Sequence, residues 1–84
     1  MYRLSLSNLA TKALDRLQGS TLERIGEAIL RLSNNPRPPG YIKIKGDEAY
    51  RIRVGDYRIV YDVDDEARAV TVLRILPRKD VYRA

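Results

Sequence analysis

The stretch Tyr50-Arg-Ile-Arg-Val-Gly-Asp-Tyr-Arg-Ile-Val-Tyr61 decides how this chain is read. Tyr50, Ile52 and Val54 alternate with Arg51 and Arg53; after the Gly55-Asp56 turn signal, Tyr57, Ile59, Tyr61 and Val63 resume the period of two. Each strand thus has an apolar face and a face carrying arginine. Paired as a hairpin in one sheet, the two strands gather Arg51, Arg53 and Arg58 on one side, which is what a phosphate-rich ligand needs. Arginine at alternate positions is equally the pattern of an ordinary solvated sheet face, so the remainder of the chain has to decide between the two.

On the N-terminal side, Tyr2, Leu4 and Leu6 alternate with Arg3 and Ser5 and predict a short first strand. Ser7 or Asn8 caps a helix in which Leu9, Ala13, Leu14 and Leu17 recur at helical spacing until Gly19 stops it. Ser20-Thr-Leu-Glu23 has the form of a capping box. The second helix it opens carries Leu22, Ile25, Ala28, Ile29 and Leu32 on one face, with Glu23, Arg24, Glu27 and Arg31 around the rest. The brief break at Gly19 predicts an antiparallel helix hairpin.

Ser33-Asn-Asn-Pro-Arg-Pro-Pro-Gly40 ends that helix as a stiff link, and Tyr41–Lys45, Tyr50–Val54, Tyr57–Val63 and Val70–Leu76 read as successive strands. Tyr50, Tyr57 and Tyr61 are expected to face the core. Segregated helices and strands mean an α+β fold: an N-terminal strand, a two-helix hairpin, then a mostly antiparallel meander, with the helices on one face of the sheet and the other face open. Residues 1–84 form one domain, without internal repeats.

With 84 residues, the fold buries only about 60–65% of the surface its unfolded chain exposes, so its stability is expected to be modest. There is no cysteine to supply a disulfide or a thiolate metal site. There is also no histidine, which excludes a histidine acid/base pair, a serine–histidine triad and histidine-ligated metals together. Any catalysis runs on Arg, Lys, Tyr and carboxylates, and no cofactor is expected. A net charge of +5 and a pI near 9.8 favour a polyanionic partner such as nucleic acid, or an acidic protein. Asp62, Asp64, Asp65 and Glu66 cluster in one acidic turn, whereas Arg74, Arg78, Lys79 and Arg83 oppose only Asp80 in the last stretch. Lacking an apolar run of bilayer length and a signal-peptide pattern, the protein is expected to be cytoplasmic, with no membrane partner.

Set in this strand–helix–helix–strand order, Lys43-Ile-Lys-Gly46, the Tyr50–Tyr61 stretch and Pro77-Arg-Lys-Asp-Val-Tyr82 resemble, over essentially the whole chain, the RelE family of bacterial and archaeal toxins in the RelE/ParE superfamily. The resemblance implies a toxin of a toxin–antitoxin pair that enters the ribosomal A site and cuts the messenger RNA there without a metal. A ribose 2′-hydroxyl attacks the neighbouring phosphate, leaving a cyclic phosphate and a free 5′-hydroxyl. It also implies a small antitoxin that wraps the toxin in a hetero-oligomer.

The family's catalytic positions fall on Arg51 and Arg53, the strand arginine Arg58, Arg78 after the last strand, and Tyr82 near the C-terminus. The best-studied branch has lysines at Arg51 and Arg53, and many members have histidine at Pro77. The chain ends two residues after Tyr82, so the expected site lacks a supporting C-terminal helix.

Chemically, 2′-hydroxyl attack builds negative charge on a phosphorane, and Arg58 with Arg51 or Arg53 offers bidentate donors to its nonbridging oxygens. Arginine is too basic, with a pKa above ~12, to accept the proton. Tyr82 as a phenolate stabilised by guanidinium groups, or Lys45, are the two candidate bases. Arg78 is assigned the departing 5′-oxygen. Lys43, Lys45, Arg74, Lys79 and Arg83 are candidates for RNA and ribosome contact, although Lys43 and Lys45 also serve as edge-strand charges that discourage aggregation. Lys12, Arg16, Arg24, Arg31 and Arg37 either touch ribosomal RNA or are simply solvated. Two other functions compete with the nuclease: a ParE-like inhibitor of DNA gyrase that cuts nothing, and a degenerate toxin that only binds its antitoxin.

Overall fold

The computed structural model of the protein describes residues 1–46 and 49–77. The chain runs β1 (Arg3–Leu6), α1 (Asn8–Asp15), α2 (Gly19–Asn34), β2 (Ile42–Lys43), β3 (Ala49–Val54), β4 (Tyr57–Asp64) and β5 (Ala69–Pro77). The expected α+β architecture is present, with both helices on one face of a sheet ordered β1-β5-β4-β3-β2. Strands β2 to β5 form the antiparallel meander, while β1 lies parallel to β5 with Leu4 beside Val70 and Leu6 beside Val72. Because β1 and β2 are the two edges, the helix pair carries the chain across one whole face of the sheet and leaves the other bare among the described residues.

The core is the layer between them. Ile25, Ile29 and Leu32 recur at i, i+4 and i+7 on α2 and meet Ile52, Ile59, Tyr61, Val70, Val72 and Ile75 of the sheet. Each fully buried Ile or Leu contributes roughly 1.5–3 kcal/mol of transfer free energy. Tyr61 is fully buried, and Tyr50 and Tyr57 pack half-buried against the same cluster, as their alternation predicts.

Four local expectations are corrected. Helix α1 stops at Asp15, so Leu17 packs on the core from outside the helix, and Leu9 is 57% exposed. Ala10, Ala13 and Leu14 form the packed stripe instead, the alanines being small enough to let α1 lie close to β5. The capping box at Ser20 does not form: α2 begins two residues earlier, with Gln18 rather than Ser20 as N-cap and no side-chain cap bond. Gly19, at φ +61°, makes the left-handed turn between the helices and then opens the second. Strand β2 is two residues rather than five, bounded by Gly40 and Gly46 at positive φ.

In β5 the alternation breaks, because Tyr61 pairs with Val72 while Val60 pairs with Arg74. Leu73 is therefore a bulged residue without a partner on β4. Its carbonyl accepts the Ser7 hydroxyl at 2.6 Å, and the same oxygen of Ser7 accepts the N–H of Ala10 at 3.1 Å, so one cap also ties α1 to the sheet.

The link after α2 is pinned rather than loose. Arg37 donates to both carboxylate oxygens of Asp65, at 3.2 and 2.9 Å, and to the Tyr50 hydroxyl at 3.1 Å. Its guanidinium lies 5.2 Å from the centre of the Tyr50 ring, which stacks on Tyr61 at 5.7 Å. The Tyr2 hydroxyl donates to Asp65 at 2.7 Å, and that of Tyr61 to the carbonyl of buried Pro36 at 2.6 Å. One latch thus joins the N-terminus, the link, β3, β4 and the β4–β5 turn. Arg37, expected on the surface toward RNA or solvent, is committed to it.

Burial pushes the Tyr61 phenol up to about 12. The Arg37 guanidinium first, and the Tyr2 hydroxyl second, hold the Asp65 carboxyl below its usual range.

Two predictions follow from the latch. Replacing Tyr61 by Phe strands the Pro36 carbonyl and costs about 1–3 kcal/mol, a fall of roughly 4–8 °C in Tm per kcal/mol for a domain of this size, read by thermal melting. A depressed native pKa means that Asp65 stabilises the fold above the ordinary carboxylate range near ~3.9 and ceases to do so as pH falls through its lowered value. Asp65→Asn is accordingly less stable than wild type at pH 7, and urea melts show the gap closing toward pH 2.

Candidate active site

The register of the sheet composes its bare face row by row. At the end nearest the β3–β4 turn, Arg53 lies directly opposite Arg58, and Leu76 beside Arg58. In the next row Ile42, Arg51, Val60 and Arg74 stand side by side across four strands. Ala49, Asp62, Thr71 and Ser5 follow, and then Asp64, Ala69 and Arg3. Successive rows are about 7 Å apart along the strands. The face therefore runs from four arginines within two rows to carboxylates at the far end.

Arg51 and Arg58 are half-buried, and Arg53 and Arg74 exposed. The Arg53 Nε donates to the Gly55 carbonyl at 3.1 Å, and Arg58 reaches the Tyr57 carbonyl at 3.4 Å. Among the described residues the ion pairs are Arg31–Glu27, at 3.8 Å, and Arg37–Asp65, at 2.9 Å. Neither neutralises an arginine of this face. Like charges directly opposite in a sheet destabilise it, so Arg53 against Arg58 is an arrangement that packing alone does not favour. It is well suited to a ligand carrying phosphate, whose paired oxygens match two guanidinium groups at once.

Of the residues singled out from the sequence, Arg51, Arg53, Arg58 and Arg74 come together. Lys43 does not join them: it pairs with Tyr50 and so sits on the helix side of the sheet, with Ile42 taking the place beside Arg51. Lys45 is exposed in the turn after β2, toward the end of β3 away from Gly55. Arg78, Lys79, Tyr82 and Arg83 lie outside the described residues. Strand β5 ends at Pro77, opposite Tyr57 and next to the Arg53–Arg58 row.

Sequence reasoning did not place two features near this site. Val60 forms an apolar floor between Arg51 and Arg74, and Arg24 of α2 reaches the β3–β4 turn from the helix side. The second has no linear signal, because Arg24 and Gly55 are brought together only by packing. No metal-binding group of three or more acidic side chains occurs among the described residues, and no helix there is long and apolar enough to cross a membrane.

The cross-strand pair makes its own prediction. Replacing Arg53 by Thr removes the like-charge opposition and supplies a β-branched residue, raising stability by about 0.2–1 kcal/mol. Urea melts at low salt read the gain, which shrinks as salt screens the pair.

Comparison with known proteins bears on the family and the fold. Residues 4–82 match the ParE toxin family of type II toxin–antitoxin systems (parDE). The toxin RelG of Mycobacterium tuberculosis is 31% identical over 84 residues, covering 98% of this chain and 97% of that protein. A chain of the archaeal RelE–RelB complex from Pyrococcus horikoshii OT3 superposes with a TM-score of 0.82 at 31% identity, covering 92% of this chain and 94% of that one. The isolated RelE toxin of E. coli gives 0.80 at 27% identity, covering 99% and 93%. The family match over residues 4–82, with these relatives, makes the chain a RelE-family toxin of the RelE/ParE type II toxin–antitoxin superfamily.

Proposed function

We propose that this toxin is a ribosome-dependent messenger RNA endonuclease whose reacting phosphate is held on the arginine face. The observation that carries the reading is the convergence of Arg51, Arg53 and Arg58 in two adjacent rows with no carboxylate partner among the described residues. An RNA strand crossing the sheet there would meet fixed cations where charge develops.

In the reaction, the 2′-oxygen of one nucleotide attacks the adjacent phosphorus. The O2′–P bond forms as the P–O5′ bond breaks, giving a 2′,3′-cyclic phosphate and a 5′-hydroxyl. Arg58 and Arg51 or Arg53 donate to the nonbridging oxygens as the phosphorane forms, which lowers its energy more than that of the ground state. Half-burial strengthens those bonds relative to the same contacts in water. Tyr82, as a phenolate, takes the 2′-hydroxyl proton, and Arg78 supports the leaving oxygen, which takes a proton from solvent to become the 5′-hydroxyl. Lys45, exposed toward the end of β3 away from Gly55, is the alternative base. Arg74, with Lys79 and Arg83, extends the cationic track for RNA or ribosome.

The partner is a small antitoxin, in a hetero-oligomer. The P. horikoshii relative is a RelE–RelB complex, and a basic bare sheet on a modest domain is stabilised by an acidic segment that folds over it. A second reading, gyrase inhibition without cleavage, is favoured by the ParE name of the matching family.

Primer extension on a defined messenger bound to programmed ribosomes separates them. The nuclease reading expects a cut in the A-site codon that requires the ribosome, slowed about 10²–10³-fold by Arg58→Ala and at least about 10²-fold by Tyr82→Phe. Intact messenger with active ribosomes, together with inhibited supercoiling by gyrase, would establish the second reading.

A further inference from the structure

The β3–β4 turn is approached by guanidinium groups from two sides. Arg53 donates from its Nε to the Gly55 carbonyl at 3.1 Å. Arg24, on α2, lies over the same glycine: a methyl group placed on Gly55 would come within 3.3 Å of the Arg24 guanidinium. Gly55 is required for its φ of +59°, and a side chain there would displace the Arg24 guanidinium by only a few tenths of an ångström. Asp56 is the carboxylate next in sequence, yet it forms no ion pair with Arg24 among the described residues.

Beside this turn runs a groove of about 470 Å³. Arg24, Ala28 and Arg31 of α2 line it together with Pro38–Gly40 of the link, Ile52–Val54 of β3 and Gly55 of the turn. Glu27 is its only carboxylate among the described residues, and Arg31 already occupies it at 3.8 Å. The groove exists because β2 is so short. Pairing between β2 and β3 ends at Ile42 and Arg51, so by alternation the outward N–H and C=O of Arg53 have no strand partner. The chain instead turns away at Gly40. Arg53 consequently belongs to both surfaces, one row from Arg51 on the bare face and at the mouth of the groove.

We propose that this groove is a second phosphate site, in which Arg24 and Arg53 clasp a backbone phosphate of a single-stranded RNA whose neighbouring nucleotides lie on the arginine face. The proposal rests on the RNA reading of that face and extends it around the β3 edge. Two planar guanidinium groups astride one turn suit the paired oxygens of a phosphodiester. Arg53 makes the track continuous, the next arginine row being about 7 Å away, a spacing that successive phosphates of an extended strand can follow. An acidic peptide is the competing occupant, but it would gain nothing from that continuity.

The test is fluorescence anisotropy of the full chain with a labelled 2′-O-methyl RNA oligonucleotide, which binds but lacks the attacking hydroxyl, across a range of KCl concentrations. Each neutralised single-strand phosphate contributes about 0.7 to the slope of log affinity against log salt. Arg24→Gln is expected to lower the slope by about that amount, and Arg24→Lys to restore it. Arg68→Gln, which removes equal charge at the opposite end of β4, is expected to leave it unchanged. An unchanged slope in Arg24→Gln, or an equal fall in Arg68→Gln, overturns the proposal. Tighter binding of a poly-glutamate peptide with the same Arg24 dependence overturns it in favour of an acidic protein. Because the probe cannot be cut, these outcomes are independent of whether the protein cleaves messenger on the ribosome.

Discussion

The pairing of β3 with β4 through the Gly55 turn is the constraint on which the rest depends. That register puts Ile52 against Ile59 on one face and Arg53 against Arg58 on the other. A slip of one residue would send the arginines into the helices and the isoleucines into water. The apolar rows therefore fix the chemical rows: burying Ile52 and Ile59 under α2 is what forces like charges together on the bare side. The free energy of the core holds an arrangement that electrostatics opposes, which is the usual sign that a surface is kept for a ligand.

Other elements support this hairpin from its flanks. At one end the Arg37–Asp65 latch, with Tyr2, Tyr50 and Tyr61, locks the link and the β4–β5 turn to the sheet. At the other, the Gly55 turn is overlaid by Arg24. Carboxylates gather at the latched end and arginines at the turn end, so the field of the bare face points along the strands. An anionic ligand is drawn toward Arg53 and Arg58 and away from Asp62 and Asp64.

Much of this was legible in the residues because it rests on local period. The alternation of Tyr50–Tyr61 located both strands, their core side and the arginine side, and the i, i+4, i+7 stripe of Ile25, Ile29 and Leu32 located the packed face of α2. What could not be read were features made by contact between distant segments. The parallel seat of β1 beside β5, the Leu73 bulge, and the meeting of Arg24 with Gly55 leave no trace in neighbouring letters. Ser20 and Glu23 carried a real capping pattern that lost to the geometry of the Gly19 turn. Arg37 looked like one more surface cation until Asp65, 28 residues on, was seen to hold it. Lys43 stands off the arginine face because its side of the sheet depends on pairing with Tyr50.

The central claim is that this face stabilises an attack by a ribose hydroxyl on its own strand. The most direct measurement is single-turnover cleavage on programmed ribosomes of a messenger carrying one 2′-deoxynucleotide at the cut position in the A-site codon. The account predicts cleavage of the all-ribose messenger to a 2′,3′-cyclic phosphate and a 5′-hydroxyl, and none at the substituted position. Undiminished cleavage at the deoxynucleotide, or a product ending in a 5′-phosphate, would contradict it.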